Sequence, residues 1–316
     1  MPNDFSRLWN VNLERTLLTD TMFSTISCNT NRGGCGNVEK ALFRGMSSKC
    51  SICGKDTLVV NTFNQRNAVV SAITEEFVLN VFKQAINSSP QLSGNFYAKR
   101  NVTCPQLELG NSTAADIAIL NKDFDGPVNP QDIECICEVK MSMIWNWSSN
   151  NRDTPIADYD SHAGRPSIYR TDSILKAIGK AAIIRSCPQN EKIPFIVIGN
   201  TPPPFNYRDK VDGTVKSGLI QKWISLTPKP LVVSSKAQDK RNPKKTIGFL
   251  RIDTINELQE FLSTLLSTEW QYVGAMVEAK KIGEILRLID LSQNDESVGQ
   301  QFLNLLPQAS SLYTLR

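Results

Sequence analysis

Ile133-Glu134-Cys135-Ile136-Cys137-Glu138-Val139-Lys140-Met141-Ser142-Met143-Ile144 carries the strongest strand signal of the 316-residue chain. Residues two apart share a face of an extended strand. Glu138 and Lys140 are therefore expected on one face, with Cys137 and Val139 on the other. Cys135 and Cys137 then read most simply as small core hydrophobes. A carboxylate and an ammonium inside an apolar strand are costly to desolvate unless they are paired or bind a metal.

Upstream, Ala115 to Asn121 (Ala-Asp-Ile-Ala-Ile-Leu-Asn) is a second short β-branched run, and Asn95 to Thr103 a third. Asp125-Gly126-Pro127 and Asn129-Pro130 separate Ala115–Asn121 from the strand that begins at Ile133. Before them, Val69, Val70, Ile73, Phe77, Val81 and Ile86 recur near helical spacing from Asn64 to Asn87, and Ser88-Ser89-Pro90 ends that helix. Downstream, a helix is expected through Ile174, Leu175, Ile178, Ala182 and Ile183, capped by Asp172 or Ser173. Ile193 to Gly199 then reads as a buried strand and Pro230 to Ser235 as another, followed by helices at Thr254–Ser267, Ala275–Leu291 and Val298–Leu305. The order from residue 64 to 200 is α-β-β-β-α-β, which predicts an α/β fold with a mixed sheet flanked by helices.

Asp116 begins the strand before Ile133, where hairpin pairing brings it beside Glu138. Two carboxylates converging on one point make a hard oxygen site suited to Mg²⁺, which also favours phosphate oxygens. An adjacent ammonium orients a water or stabilises charge on a phosphorane-like transition state. Hydrolysis of a phosphodiester needs those parts.

Ala115-Asp116 … Glu138-Val139-Lys140 resembles the PD-(D/E)xK nuclease signature. The element order from residue 64 to 200, a helix ahead of the first strand included, is similar to the core of that superfamily. The resemblance implies a restriction-endonuclease-like fold, Asp116 and Glu138 as Mg²⁺ ligands, Lys140 as the third catalytic residue, and products with 5′-phosphates. It also implies a glutamate from the first helix, for which Glu76, or else Glu75, is suitably placed. Ala115 stands where the family has proline, a position that is not a ligand. Glu278-Ala279-Lys280 has the same tripeptide form but falls in a helical segment, where residues two apart do not face each other. Strand context therefore carries the signal.

Other chemistries lack their parts. His162 is the only histidine, which excludes HNH and histidine-relay sites, and no Gly-x-Ser-x-Gly elbow, Walker A loop or dinucleotide fingerprint occurs.

Residues 1–62 are expected to form a metal-stapled region and residues 63–316 the catalytic domain. Cys28-x6-Cys35 and Cys50-x2-Cys53 offer four thiolates, with Gly36 and Gly54 after each pair. Two such knuckles converge on a structural Zn²⁺; the alternative is buried free cysteines. The composition, 41% hydrophobic and 21% charged, is that of a globular protein, no apolar run is long enough to span a membrane, and the first residues do not read as a signal peptide. A cytoplasmic location is expected, where thiols stay reduced.

The net charge of +4 decides little by itself. Its distribution says more: Lys229, Lys236, Lys240, Arg241, Lys244 and Lys245 crowd one segment against Asp239 alone. That segment is either a phosphate-binding patch, with Lys240 and Arg241 on DNA, or a solvated loop. The polar stretch after Met141 supplies Trp145, Trp147, Arg152, Asp153, His162 and Arg165. Arg152, Asp153 and Arg165 are the candidates to touch DNA, unless the stretch is only a surface excursion. These features together lead to the expectation of a Mg²⁺-dependent type II restriction endonuclease acting as a homodimer on double-stranded DNA. A repair or recombination nuclease of the same superfamily, or a non-catalytic zinc-containing DNA-binding protein, is the alternative.

Overall fold

The computed structural model describes residues 7–19, 23–42, 50, 52–55, 63–145, 155, 165–187, 193–227, 248–268, 270, 272 and 279–310. In chain order, α1 (Val11–Glu14) runs into a π-helical turn, followed by strands β1 (Phe23–Ser27) and β2 (Val38–Leu42). The long helix α2 (Phe63–Asn87) leads to β3 (Tyr97–Val102), β4 (Ala115–Leu120) and β5 (Ile133–Lys140). Then come α3 (Thr171–Ser186), β6 (Phe195–Gly199), α4 (Arg208–Lys216), β7 (Lys222–Ser225) and β8 (Phe249–Arg251). Helices α5 (Ile255–Ser267), α6 (Ala279–Leu288) and α7 (Asp295–Ser310) complete the order.

The chain divides into two compact units, Met1–Trp270 and Gln271–Arg316. In the first unit, Trp9 and Val11 pack into the same apolar cluster as α2. In the second unit, Ile285 and Ile289 pack with Val298, Phe302 and Leu305.

Six strands form one mixed sheet in the order β3-β4-β5-β6-β7-β8. β3, β4 and β5 are antiparallel neighbours, whereas β5 to β8 run parallel. Alternation from Cys135 onward sorts the two faces, after a register shift that turns Ile133 to the other side. Cys135, Cys137 and Val139 join Ile117 and Ile119 against Val78, Phe82 and Ala85 of α2 and Leu258 and Leu262 of α5. Ile136 joins Ala118, Leu120 and Val197 against Ile174, Ala177, Ala181 and Ile184 of α3 and Val211 of α4. Each fully buried side chain of this kind contributes roughly 1.5–3 kcal/mol. Helices α3 and α4 sit on one face because successive parallel crossovers keep one hand.

The expected α-β-β-β-α-β order is present, with several differences in detail. The strand expected to reach Ile144 stops at Lys140. The expected caps of α3, Asp172 and Ser173, lie inside a helix whose N-cap is Arg170, without a side-chain capping bond. The apolar stripe expected for α3 is also rotated: Leu175 and Ile183 are exposed, while Ala177, Ala181 and Ile184 are buried. That helix is apolar around much of its girth, so spacing alone does not select its inner face. Helix α5 begins after Thr254, whose side chain accepts from the Glu257 N–H. Strands β7 and β8 are too short to read from periodicity. Pro230–Ser235 lies outside the described residues. Glu278 does too, although Ala279 and Lys280 open α6 as expected of a helix.

Candidate active site and metal centre

Ile117 pairs with Cys137 in the β4–β5 register, which carries Asp116 opposite Glu138. Both carboxylates therefore emerge on the α3 face, at the end of β5 where Lys140 pairs with Gly199 of parallel β6. In open sheets with parallel strands, the carboxyl ends of those strands are where ligands bind.

Four charged groups meet there. Lys140 Nζ contacts Glu138 Oε1 and stands 4.0 Å from Asp116 Oδ2. From α3, Lys180 Nζ lies 2.6 Å from Glu138 Oε2 and 3.5 Å from Asp116 Oδ1, and it donates to Ala114 O at 2.8 Å. The Val139 N–H donates to Asp116 Oδ2 at 2.7 Å. Glu138 is only 5% exposed, and its Oε2 accepts no aligned hydrogen bond despite the ammonium beside it.

The charges settle unequally. Burial and the neighbouring Glu138 charge push Asp116 up to about 6, against the pull of Lys180, Lys140 and the Val139 N–H. Burial also pushes Glu138 up, but Lys140 and Lys180 together outweigh it and hold Glu138 below the usual range. Burial depresses Lys180, yet Glu138 and Asp116 more than restore it, so its ammonium is held above its ordinary value. Glu138 is thus the more firmly ionised carboxylate of the pair.

Backbone around the site is tied down by polar side chains. Ser167 Oγ donates to Lys140 O at 2.6 Å and accepts from the Asn200 N–H at 3.0 Å. Asn200 brackets Ser142, accepting from its N–H and donating to its carbonyl. Gly199 is needed here: a Cβ at that position would stand 2.8 Å from Ser167 Oγ. On the other side of the sheet, the fully buried Glu14 accepts from the Ile144 and Trp145 N–H groups at 3.0–3.1 Å and from Trp9 Nε1. The chain leaving β5 is therefore fixed from both faces.

Asp116, Glu138 and Lys140 are brought together as expected. Glu76 is not joined to them: it pairs with Arg100 at 3.0 Å. Arg100 is the register partner of Ile117, which packs in the α2 cluster, so this pair lies on the face opposite Asp116. Glu75 accepts from Ser71 of its own helix. Arg165 is exposed, with its guanidinium 5.8 Å from the Tyr169 ring. Arg152, Asp153, His162, Lys240 and Arg241 lie outside the described residues. Lys180 is the residue that the sequence reading missed. Its signal was a lysine three after Ala177 on the inward stripe of α3, hidden by the choice of the wrong stripe.

The four N-terminal cysteines converge, with ligand atoms all within 4.8 Å of one another. β1 and β2 pair as a hairpin whose ladder is extended by the Cys28 N–H donating to Asn37 O. Cys28 and Cys35 thus sit in the hairpin loop. The Cys35 N–H points at Cys28 Sγ at 3.2 Å, and Gly36 adopts φ +74° directly after. In the second knuckle the Gly54 N–H donates to Cys50 O, and Gly54 has φ +68°. Both glycines occupy left-handed backbone, which other residues enter at a cost. Sulfur separations of 3.7 Å (Cys28–Cys53) and 3.6 Å (Cys35–Cys50) match the edge of about 3.8 Å for a tetrahedron with roughly 2.3 Å metal–sulfur bonds. The Lys55 N–H pulls the Cys53 thiol down to about 6. The Cys53 N–H also pulls on Cys50, but burial and the Cys35 and Cys53 side chains push that thiol up to about 12. This cluster could hold a metal ion.

No family model, curated protein or solved structure matches the chain. Among the described residues, no helix is long and apolar enough to cross a membrane.

Proposed function

We propose that the protein is a Mg²⁺-dependent endonuclease acting on double-stranded DNA, of the type II restriction kind, with a PD-(D/E)xK active site at Asp116, Glu138 and Lys140. The observation that carries this reading is the convergence of two carboxylates and a lysine at the end of β5, with Glu138 Oε2 buried beside the Lys180 ammonium. The donor set fits the ion: Asp116 and Glu138 offer hard carboxylate oxygens and would hold Mg²⁺. When bound, the ion supplies charge neutralisation to a phosphoryl oxygen. Lys140 orients the attacking water and faces the negative charge that develops on phosphorus. The water oxygen bonds phosphorus, the P–O3′ bond breaks, the 3′ oxygen takes a proton, and the product keeps a 5′-phosphate. A homodimer places one such site on each strand of a symmetric sequence. Arg165, beside the backbone that Ser167 ties to Lys140, is suited to reach the substrate. We assign Zn²⁺ to the four cysteines, as a structural ion with four protein ligands.

The test is incubation of the purified chain with a fully sequenced, unmethylated plasmid and Mg²⁺, followed by mapping of the ends. Discrete bands with 5′-phosphates, lost in Glu138→Ala, support the reading. Mixed cleavage of branched or damaged substrates points instead to repair or recombination. Intact DNA across many sequences and metals leaves only the zinc-containing DNA-binding alternative.

A further inference from the structure

We propose that Lys180 sets the affinity of the carboxylate pair for its divalent ion, because its ammonium holds the edge of the pair where the ion binds. This rests on the Mg²⁺ reading above and adds to it a residue and a direction of effect.

Each carboxylate has two oxygens, and the structure has already committed one of each. Asp116 Oδ2 accepts from the Val139 N–H and faces Lys140. Glu138 Oε1 is taken by Lys140. The oxygens left over, Asp116 Oδ1 and Glu138 Oε2, both face one group, the Lys180 ammonium, at 3.5 and 2.6 Å. Asp116 and Glu138 would hold a cation on that edge with the Val139 bond kept.

The hold of Lys180 on this edge is a matter of charge more than of direction. Lys180 donates to Ala114 O at 2.8 Å and ion-pairs with Glu138 Oε2 at 2.6 Å. A divalent ion doubles the Coulomb attraction of a single ammonium at equal distance, so it can take the edge while Lys180 keeps its carbonyl partner. Charge balance then favours the substrate. Two carboxylates and two ammonium groups sum to zero; a divalent ion added to them leaves a surplus of positive charge facing a phosphodiester. Lys180 is thus a positioning residue that keeps the buried Glu138 and half-buried Asp116 carboxylates compatible with folding until the ion arrives.

Isothermal titration calorimetry of the full zinc-loaded chain with MgCl₂ alone tests this without reference to cleavage, since Mg²⁺ does not compete for thiolates. Lys180→Met is expected to bind Mg²⁺ about tenfold or more tightly than the parent chain. Lys180→Arg, whose guanidinium can clamp both carboxylates, is expected to bind about tenfold more weakly, and it retains the charge needed for folding should the methionine variant not fold. Lys140→Met is expected to change the affinity less than Lys180→Met does. Unchanged or weaker binding in Lys180→Met, unchanged binding in Lys180→Arg, or a larger gain in Lys140→Met overturns the proposal. If the parent chain and Lys180→Met both give no Mg²⁺ heat, or Asp116→Asn leaves the parent affinity intact, the Mg²⁺ reading itself falls.

Discussion

The cysteine cluster and the carboxylate–lysine cluster each draw four side chains onto one point, but they balance charge in opposite ways. The sulfurs sit 3.6–3.7 Å apart in two pairs, and full ionisation would gather four like charges. Only an outside cation can hold that arrangement as thiolates. The carboxylates instead carry their own cations, one lysine from the same strand and one from α3. A metal at the cysteines would therefore be part of the fold of its region, whereas a metal at Asp116 and Glu138, as proposed, would enter a site already neutral. The first cluster is built by backbone turns within one short stretch; the second needs two strands and a helix to be in register.

The largest effect expected from this contrast is at the cysteines. Cys50→Ser should take zinc from about one ion per chain to none and remove on the order of 10 kcal/mol of metal-linked folding from the region around β1 and β2. Elemental analysis and limited proteolysis would show it, and retention of zinc with an intact region would break the comparison. Glu138→Ala is next. It leaves two lysines facing one carboxylate, so stability should fall by about 3 kcal/mol, read from urea denaturation. Plasmid cleavage should fall by about a thousandfold or more, with zinc content unchanged. Loss of zinc in that variant would mean that the two clusters are not independent.

Lys140→Met sharpens the division of labour between the lysines. Cleavage should drop about a hundredfold, read from initial rates at saturating Mg²⁺. A rate equal to that of the parent chain would remove Lys140 from the chemistry. The smallest effect is expected at Glu76→Ala. Its exposed ion pair with Arg100 is worth less than about 1 kcal/mol, and Mg²⁺ affinity measured by calorimetry should not move. A tenfold loss of affinity would return Glu76 to the metal site.

Much of the central fold was legible because its strands are apolar and separated by turn residues. The alternation from Cys135 to Lys140 predicted which residues face which way, and Cys137 and Val139 lie in the α2 cluster as that pattern requires, whereas Ile133 turns to the other face at a register shift. Helix α3 was legible as a helix but not as a face, because Leu175 and Ile183 are apolar and exposed. Periodicity identifies an inner stripe only where the outer one is polar. Strands β7 and β8, four and three residues long, offer too few alternations to register.

What the sequence determined by itself is local: Glu138 and Lys140 on one side of a strand, and two cysteine pairs, each pair followed by one glycine able to turn. These follow from backbone repeats of two residues and from the conformations open to glycine, which need no distant partner. Tertiary structure alone decided the rest. Glu14 reaches backbone N–H groups 130 residues away, Glu76 is drawn to Arg100 on the far face, and Lys180 from α3 closes over both carboxylates. Each of those pairings depends on strand register and on the side of the sheet to which a crossover returns. No sequence spacing encodes these, since the burial of a charge is settled only when its partners arrive.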